Sequence, residues 1–171
     1  TLIFLPNLNN IVKTRKIKLH LFRSLLLFCA TISMFSGFKY LTLVSTITIF
    51  QIGPLVIVVF SVIFLKETVG YRRWISVIVG FSGALLILKP GTDMFSVFGF
   101  FPILAAIFYA GYAVSTRRLG TEEDPQTNFF YTSLVGTLIS TIILIPFFEP
   151  IAIKDLFLFS ILGVFGGLGH F

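Results

Sequence analysis

A long apolar run over residues 24–65 constrains the fold of this chain more than any other feature of its sequence. Lys39 and Gln51 are its strongly polar members. As one α-helix the run would measure about 63 Å, roughly twice the hydrocarbon thickness of a bilayer. The run must therefore fold back on itself. The segment Phe38–Thr42 is the expected turn, because a lysine beside a tyrosine is typical of a membrane interface.

The amino-acid composition is that of a membrane protein and not of a water-soluble domain. Of its 171 residues, 12% are charged and 56% are hydrophobic, and the mean hydropathy is +1.00. A soluble domain carries about 25% charged residues, because its surface faces water. This chain has too few polar residues to cover a globule. We therefore expect an all-α, polytopic transmembrane helix bundle with the lipid bilayer as its solvent.

Charged segments and Pro/Gly turns divide the rest of the sequence into pieces of about membrane length. The chain starts at Thr1 rather than at a methionine, and it stops at Phe171 inside an apolar stretch. We therefore expect an internal fragment of a longer protein. The expected helices cover residues 22–39, 43–65, 74–88, 95–116 and 129–148, and a further helix begins near residue 156.

Basic residues cluster on one side of this arrangement. If successive helices alternate in direction, loops 7–23, 66–73 and 117–126 share one face and hold ten of the 13 lysines and arginines. Because basic loops tend to stay in the cytoplasm, we expect these loops to be cytoplasmic in a bacterial inner (plasma) membrane. The net charge of +6 thus reflects membrane topology, and nucleic acid is not an expected partner.

Gln51 and Pro54 interrupt the second expected helix near its middle. A proline there removes one helical hydrogen bond, which is tolerated at membrane depth where the backbone is buried in protein or lines a cavity. Two interpretations stay open. Either the proline makes a packing kink while Gln51 bonds to a neighbouring helix, or both residues line a substrate cavity.

Aromatic residues form a second group of cavity candidates. Tyr109 and Tyr112 lie three residues apart and so share one helix face, where they either present an aromatic surface to a substrate or pack between helices. His170 lies in the last apolar stretch, and an ionisable residue at membrane depth is a functional candidate by default. A structural hydrogen bond explains it equally well.

Other residues have expected structural roles. Glu67 lies at a helix end near Arg72 and Arg73, where we expect an ion pair or a helix cap. Gly80 and Gly83 belong to a set of small residues in the following helix, and small residues allow close helix packing in lipid.

Chemistry beyond binding has little support in the sequence. The acidic run Glu122–Asp124 is expected to be a solvated loop that balances Arg117 and Arg118. No carboxylate lies in the middle of an expected span, so proton coupling has no support from the sequence. A single cysteine excludes an internal disulfide, and the chain has no Cys/His cluster with metal-ligand spacing. We expect no metal, no cofactor and no catalytic residue.

Several segments together resemble the EamA-type drug/metabolite transporter family. The similarity is carried by the proline-bearing helix that ends in a glutamate, by the glycine-containing helix that closes on Pro90–Gly91, and by parts of the helices that follow. The resembling segments are Phe38–Leu41, Gly53–Leu55, Phe64–Glu67, Tyr71–Trp74, Gly80–Gly91, Tyr109–Val114 and Leu162–Phe171.

This resemblance implies a ten-helix fold of two inverted repeats around a central cavity. Residues 1–91 would be the later part of the first repeat, and residues 92–171 the early part of the second. The implied function is a secondary transporter that moves a small molecule, such as an amino acid, a carboxylate, an amine or a drug-like compound. The resemblance also adds Phe35 to the cavity candidates and supports Gln51, Tyr109, Tyr112 and His170.

Two other classes of function stay open at this stage. A membrane-embedded lipid-modifying enzyme would need a cluster of catalytic side chains near one interface. A non-transporting structural protein would lack a polar, roomy centre. The surroundings of Gln51 and Pro54 would discriminate between these alternatives and a carrier.

Overall fold

The computed structural model describes residues 14, 16–88, 97–120, 123–147 and 153–168, and these residues form a set of α-helices joined by short connections. The helices are α1 (Ile17–Tyr40), α2 (Leu43–Phe50), α3 (Gly53–Leu65), α4 (Tyr71–Leu88), α5 (Phe100–Gly120), α6 (Pro125–Leu144) and α7 (Ile153–Leu168). A 3₁₀ turn over Val97–Gly99 leads into α5, and another over Ile145–Phe147 follows α6.

The polytopic helical architecture expected from the sequence is confirmed. Four segments of the described chain are long and apolar enough to cross a bilayer. A shorter apolar helix covers Asp155–Phe165, and α4 is not one of the four. The four segments are Ile17–Tyr40, Leu43–Leu65, Val97–Gly120 and Pro125–Leu144.

Helix boundaries differ from the sequence prediction mainly by extending into the charged segments. α1 begins at Ile17 instead of residue 22, so Arg23 is the seventh residue of a helix and does not lie in a loop. Arg117 and Arg118 belong to the last turn of α5, where their positive charge interacts favourably with the helix dipole. Charged residues in the sequence therefore indicated that a helix end was near, but the helices include these residues and end beyond them.

The predicted interruption of the second span is present and separates α2 from α3. Gln51 and Ile52 form a tight turn, in which their amide groups donate to Thr48 and Ile49 over 3.0 and 3.2 Å. Pro54 then occupies the first turn of α3. The missing N–H costs no hydrogen bond at that position, because the first amides of a helix have no partner within it.

Helix α5 is the centre of the packing in the described chain. α1 packs along it, and α2 and α3 also lie against it. Ala105, Ala106 and Ala110 of α5 are fully buried. A methyl group added to Gly37 of α1 would lie 2.9 Å from the Thr46 Cγ2 atom of α2. Small side chains thus let these helices approach closely, which is the main source of helix association in lipid.

Two glycines of α4 lack such a neighbour in the described part of the chain. A Cβ atom added to Gly80 or Gly83 would meet no atom within 4 Å among the described residues. The expected packing role of these two glycines stays a prediction.

Residues from all three basic loops, or from the helix ends beside them, meet at one end of the bundle. Arg117 pairs with Glu67 over 2.8 Å, and Thr14 donates to Glu123. We call this region, defined by those four residues, the polar end. At the opposite end Tyr40 stacks on Phe98, with ring centroids 4.4 Å apart.

The contacts divide the chain into residues 1–137 and 138–171. The first unit holds α1–α5 and the beginning of α6, and it contains all the contacts described above. The second holds the rest of α6, the 3₁₀ turn that follows and α7. This boundary lies within α6, and the division into repeats at residue 91 stays a prediction.

Candidate functional site

An aromatic surface lies beside the interruption between α2 and α3. The rings of Phe50 and Tyr109 are 5.6 Å apart, and those of Tyr109 and Tyr112 are 6.0 Å apart. Tyr109 keeps 37% of its surface exposed, and the other two rings are half-buried. We call Phe50, Tyr109 and Tyr112 the aromatic surface. It presents ring faces on which a planar group can stack.

Local sequence explains two of the three rings. The spacing of Tyr109 and Tyr112 predicted a shared face of α5. The sequence analysis missed Phe50, which reaches this face because α2 ends at that residue and packs on α5. Its position directly before Gln51 and Pro54 was the available signal.

The other cavity candidates lie apart from this surface or at its edge. Gln51 and Pro54 are exposed and follow Phe50 at the interruption. Phe35 is 66% exposed and contacts Phe38 of its own helix. His170 lies outside the described residues. Tyr109 and Tyr112 are therefore the two sequence candidates that the structure brings together, and a cavity role for each candidate stays a prediction.

Arg23 is buried next to the aromatic surface. Its guanidinium carbon lies 5.3 Å from the centre of the Tyr112 ring. Nη1 donates to the Thr116 hydroxyl over 3.1 Å, and Nη2 donates to the Asn128 carbonyl and the Thr132 hydroxyl over 2.5 and 2.6 Å. One side chain thus joins α1 to both α5 and α6.

This burial corrects the placement of Arg23 in a cytoplasmic loop. The residue is 1% exposed, and taking a charge out of water is costly unless it is well hydrogen-bonded. Three hydrogen bonds and the ring face of Tyr112 offset part of that cost. No carboxylate of the described residues forms an ion pair with Arg23, and its Nε atom has no hydrogen-bond partner among them.

His20 and Glu123 form a second connection at the polar end. Nε2 of His20 lies 2.5 Å from Oε2 of Glu123, and the Thr14 hydroxyl donates to Oε1 over 2.5 Å. His20 is fully buried, and its ring stacks on Tyr131 of α6 at 4.7 Å. The contact ties the start of α1 to the connection between α5 and α6.

This pair corrects the expected role of Glu123 and Arg117, while the balance of Arg118 by the rest of the acidic run stays a prediction. Glu123 pairs with His20 instead, while Arg117 pairs with Glu67 and approaches the Ser61 hydroxyl at 3.3 Å. Burial acts to raise the pKa of Glu123, but hydrogen bonds from Thr14 and His20, together with the charges of His20 and Lys16, outweigh it and lower this pKa below 4.5.

Glu67 forms the expected ion pair, but with Arg117 and not with Arg72 or Arg73. Lys66 ends α3 in the left-handed conformation, with φ of 54°, and the Glu67 amide donates back to the Ser61 carbonyl. This turn directs the chain so that the Glu67 carboxylate reaches the end of α5. Arg72 is exposed and lies against the ring of Tyr71.

Relatives of the chain are transporters by name. It is 30% identical over 160 residues to an S-adenosylmethionine uptake transporter of Rickettsia bellii, covering 93% of this chain and 55% of that protein. A riboflavin transporter of Vibrio cholerae is 32% identical over 58% of this chain and 34% of its own length. A pseudopaline exporter of Pseudomonas aeruginosa is 27% identical over 80% of this chain and 49% of its own length.

The chain therefore spans about half the length, or less, of the curated relatives it matches. No solved structure matches it significantly. The model of the EamA-like transporter family matches residues 1–89, which is more than half of the chain. Together with the described membrane-length helices, this match shows that the chain belongs to the EamA-like transporter family.

Proposed function

We propose that the whole protein is a secondary carrier for a small molecule with a planar aromatic group, operating by alternating access in a bacterial inner (plasma) membrane. The observation that carries this proposal is the partly exposed aromatic surface beside the interruption between α2 and α3. Aromatic faces with a few polar groups are typical of small-molecule sites. Interrupted helices commonly mark the binding site in secondary transporters.

The names of the relatives support the same substrate class. Riboflavin contains an isoalloxazine ring system and S-adenosylmethionine contains adenine, so both present a flat ring that can stack on phenylalanine or tyrosine. The Gln51 amide, one residue beyond Phe50, supplies hydrogen-bonding groups at the edge of this surface. One named relative is an uptake protein and another an exporter, so these names favour neither direction of transport.

We also propose that the polar end faces the cytoplasm. The support is the bias of ten basic residues over three in the sequence, together with the contacts that bring residues of the basic segments to one end of the bundle. Residues 1–91 and 92–171 then belong to successive inverted repeats of a ten-helix carrier. The transporter names of the relatives favour this function over a lipid-modifying enzyme or a structural membrane protein.

The test is flux into proteoliposomes that contain the whole protein. Labelled riboflavin, S-adenosylmethionine and adenosine are compared with aliphatic amino acids and carboxylates. We expect saturable flux of at least one planar aromatic compound. Tyr109→Ala should lower the rate by about three- to tenfold, because one stacking face worth roughly 0.5–1.5 kcal/mol is lost.

The matched control is Phe64→Ala, which removes a more exposed ring near the end of α3, where the ring contacts Phe60 of its own helix. It should leave the rate within about twofold of the wild-type value. Transport of aliphatic compounds only, or equal effects of the two substitutions, would contradict the proposal.

A further inference from the structure

Arg23 carries a positive charge that its hydrogen bonds do not balance. Its three bonds run to two hydroxyl groups and one backbone carbonyl, which belong to Thr116, Thr132 and Asn128. All three acceptors are neutral. Within the described part of the chain, no carboxylate pairs with the guanidinium, and its Nε atom has no hydrogen-bond partner. The hydrogen bonds therefore satisfy most of the donors but leave the charge without a counter-ion among these residues.

A role in linking helices does not by itself account for an arginine at this position. A neutral amide such as glutamine can also donate to hydroxyl and carbonyl groups, and it avoids the cost of taking a charge out of water. Arginines near the end of a membrane helix usually extend their head group into water, but Arg23 is 1% exposed. A charged residue inside a membrane-spanning helix is a functional candidate by default.

The aromatic surface begins directly beside this charge. The guanidinium carbon of Arg23 lies 5.3 Å from the centre of the Tyr112 ring. That ring lies 6.0 Å from Tyr109, whose ring lies 5.6 Å from Phe50. The cation and the three rings therefore form one continuous row. A molecule stacked on the exposed ring of Tyr109 has the guanidinium at the Tyr112 end of this row.

The charge can act on such a molecule without touching it. Opposite unit charges about 10 Å apart attract strongly enough to raise affinity by about fifteenfold at an effective dielectric constant of about 20. Water in the cavity that doubles this constant lowers the gain to about fourfold. A positive charge on the bound molecule is disfavoured by the same factor. The expected preference for an anion over a cation is therefore about fifteenfold or more.

We propose that Arg23 determines the charge specificity of the aromatic surface, so that the protein prefers planar aromatic compounds with an anionic group, either a carboxylate or a phosphate ester. This inference rests on the proposed carrier function and adds the charge of the substrate to it. The Arg117 charge is not expected to contribute, because it is paired with Glu67 and both side chains are more than one-third exposed. Water and the carboxylate screen it.

The experiment measures binding to the purified whole protein in detergent at neutral pH. Indoleacetate, tryptophol and tryptamine share one ring system and carry a negative, no and a positive charge, respectively. Adenosine monophosphate and adenosine form a second matched set. The rise in melting temperature with ligand concentration gives each apparent Kd.

We expect each anion to bind at least about fourfold more tightly than its neutral counterpart. Indoleacetate should bind at least about fifteenfold more tightly than tryptamine. Equal affinities, tighter binding of tryptamine, or no binding of either anion would overturn the proposal, even if no variant of the protein folds.

Two substitutions and a matched control assign the preference to Arg23. Arg23→Gln removes the charge but keeps a donor group, and it should bring the affinities for indoleacetate and tryptamine within about twofold of each other. Arg23→Lys keeps the charge and should keep at least a threefold preference for the anion. Arg117→Gln removes a paired, exposed charge and should leave the wild-type ratio within about twofold. An unchanged ratio in Arg23→Gln would overturn the proposal.

The ratio of two affinities separates this role from a merely structural one. If Arg23 only held the helices together, its substitution would weaken the binding of every compound and leave the ratio unchanged. Flux of the same compounds into proteoliposomes tests the carrier function separately. Charge-selective binding without flux of any aromatic compound would refute the proposed function alone. Flux of aromatic compounds without charge preference in binding would refute the role of Arg23 alone.

Discussion

Replacement of Gly37 by alanine tests whether close packing of α1 against α2 holds the described bundle together. The added Cβ would lie 2.9 Å from the Thr46 Cγ2 atom and 3.4 Å from the Pro102 Cδ atom. Thr46 cannot easily turn its methyl away, because the side chain is β-branched, fully buried and hydrogen-bonded through Oγ1 to the Thr42 carbonyl. The clash therefore falls on a stiff neighbour.

Two opposing effects set the expected magnitude. Overpacking by one methyl group typically costs about 1–3 kcal/mol. Alanine in a helix interior is favoured over glycine by about 0.8–1 kcal/mol. Gly37→Ala should therefore destabilise the protein by roughly 0–2 kcal/mol. If Thr46→Ser removes the opposing methyl group and keeps the hydroxyl, the same alanine should become neutral or stabilising.

The assay is a double-mutant cycle on the thermal or denaturant stability of the purified whole protein in detergent. We expect a coupling free energy of about 1–3 kcal/mol between Gly37→Ala and Thr46→Ser, with the double variant more stable than Gly37→Ala alone. Independent sites add to within about 0.3–0.5 kcal/mol. Additive effects within that margin would refute the close approach of α1 and α2 at this point.

Three further predictions concern charges. Glu123→Gln should lower the melting temperature at neutral pH. The difference in melting temperature from wild type should narrow as the pH falls below about 4.5, because the lowered pKa of Glu123 stabilises the folded state only while the carboxylate is ionised. A difference that stays constant across that range would contradict this prediction. Glu67→Gln should cost no more than about 1 kcal/mol in denaturant unfolding, because its pair with Arg117 is well exposed, and a larger loss would indicate a buried pair. A cysteine at Gln126 should react with an impermeant label only from the cytoplasm and one at Asp93 only from outside; labelling of both from one side would refute the topology.

The sequence was informative wherever lipid and local geometry decide the structure. Hydrocarbon leaves the backbone no partner except its own helix, so apolar runs of membrane length had to become helices. The turn near Lys39 and the interruption at Pro54 followed from the same reasoning, because each depends on residues that are neighbours in the chain. These features were predicted from the sequence and are present in the structure.

Charged residues were the part that sequence reasoning misplaced. Arg23 and Glu123 stood near expected turns and were interpreted as solvated loop residues, since most charges beside a turn face water. Their partners lie far away in the chain: Arg23 bonds to Asn128 at a separation of 105 residues, and His20 meets Glu123 at a separation of 103. No periodicity or spacing within a segment encodes such a pairing.

The sequence alone thus determined the class of the protein, its helical segments and the shared face of Tyr109 and Tyr112, because these depend on composition and on contacts within one helix. Only the tertiary structure decided that Phe50 joins those two rings and that Arg23 and His20 are buried. The physical reason is that a membrane protein gains little from burying apolar surface against other apolar groups. Helix arrangement instead depends on close approach of small residues and on a few long-range polar contacts, which appear only once the helices are placed together.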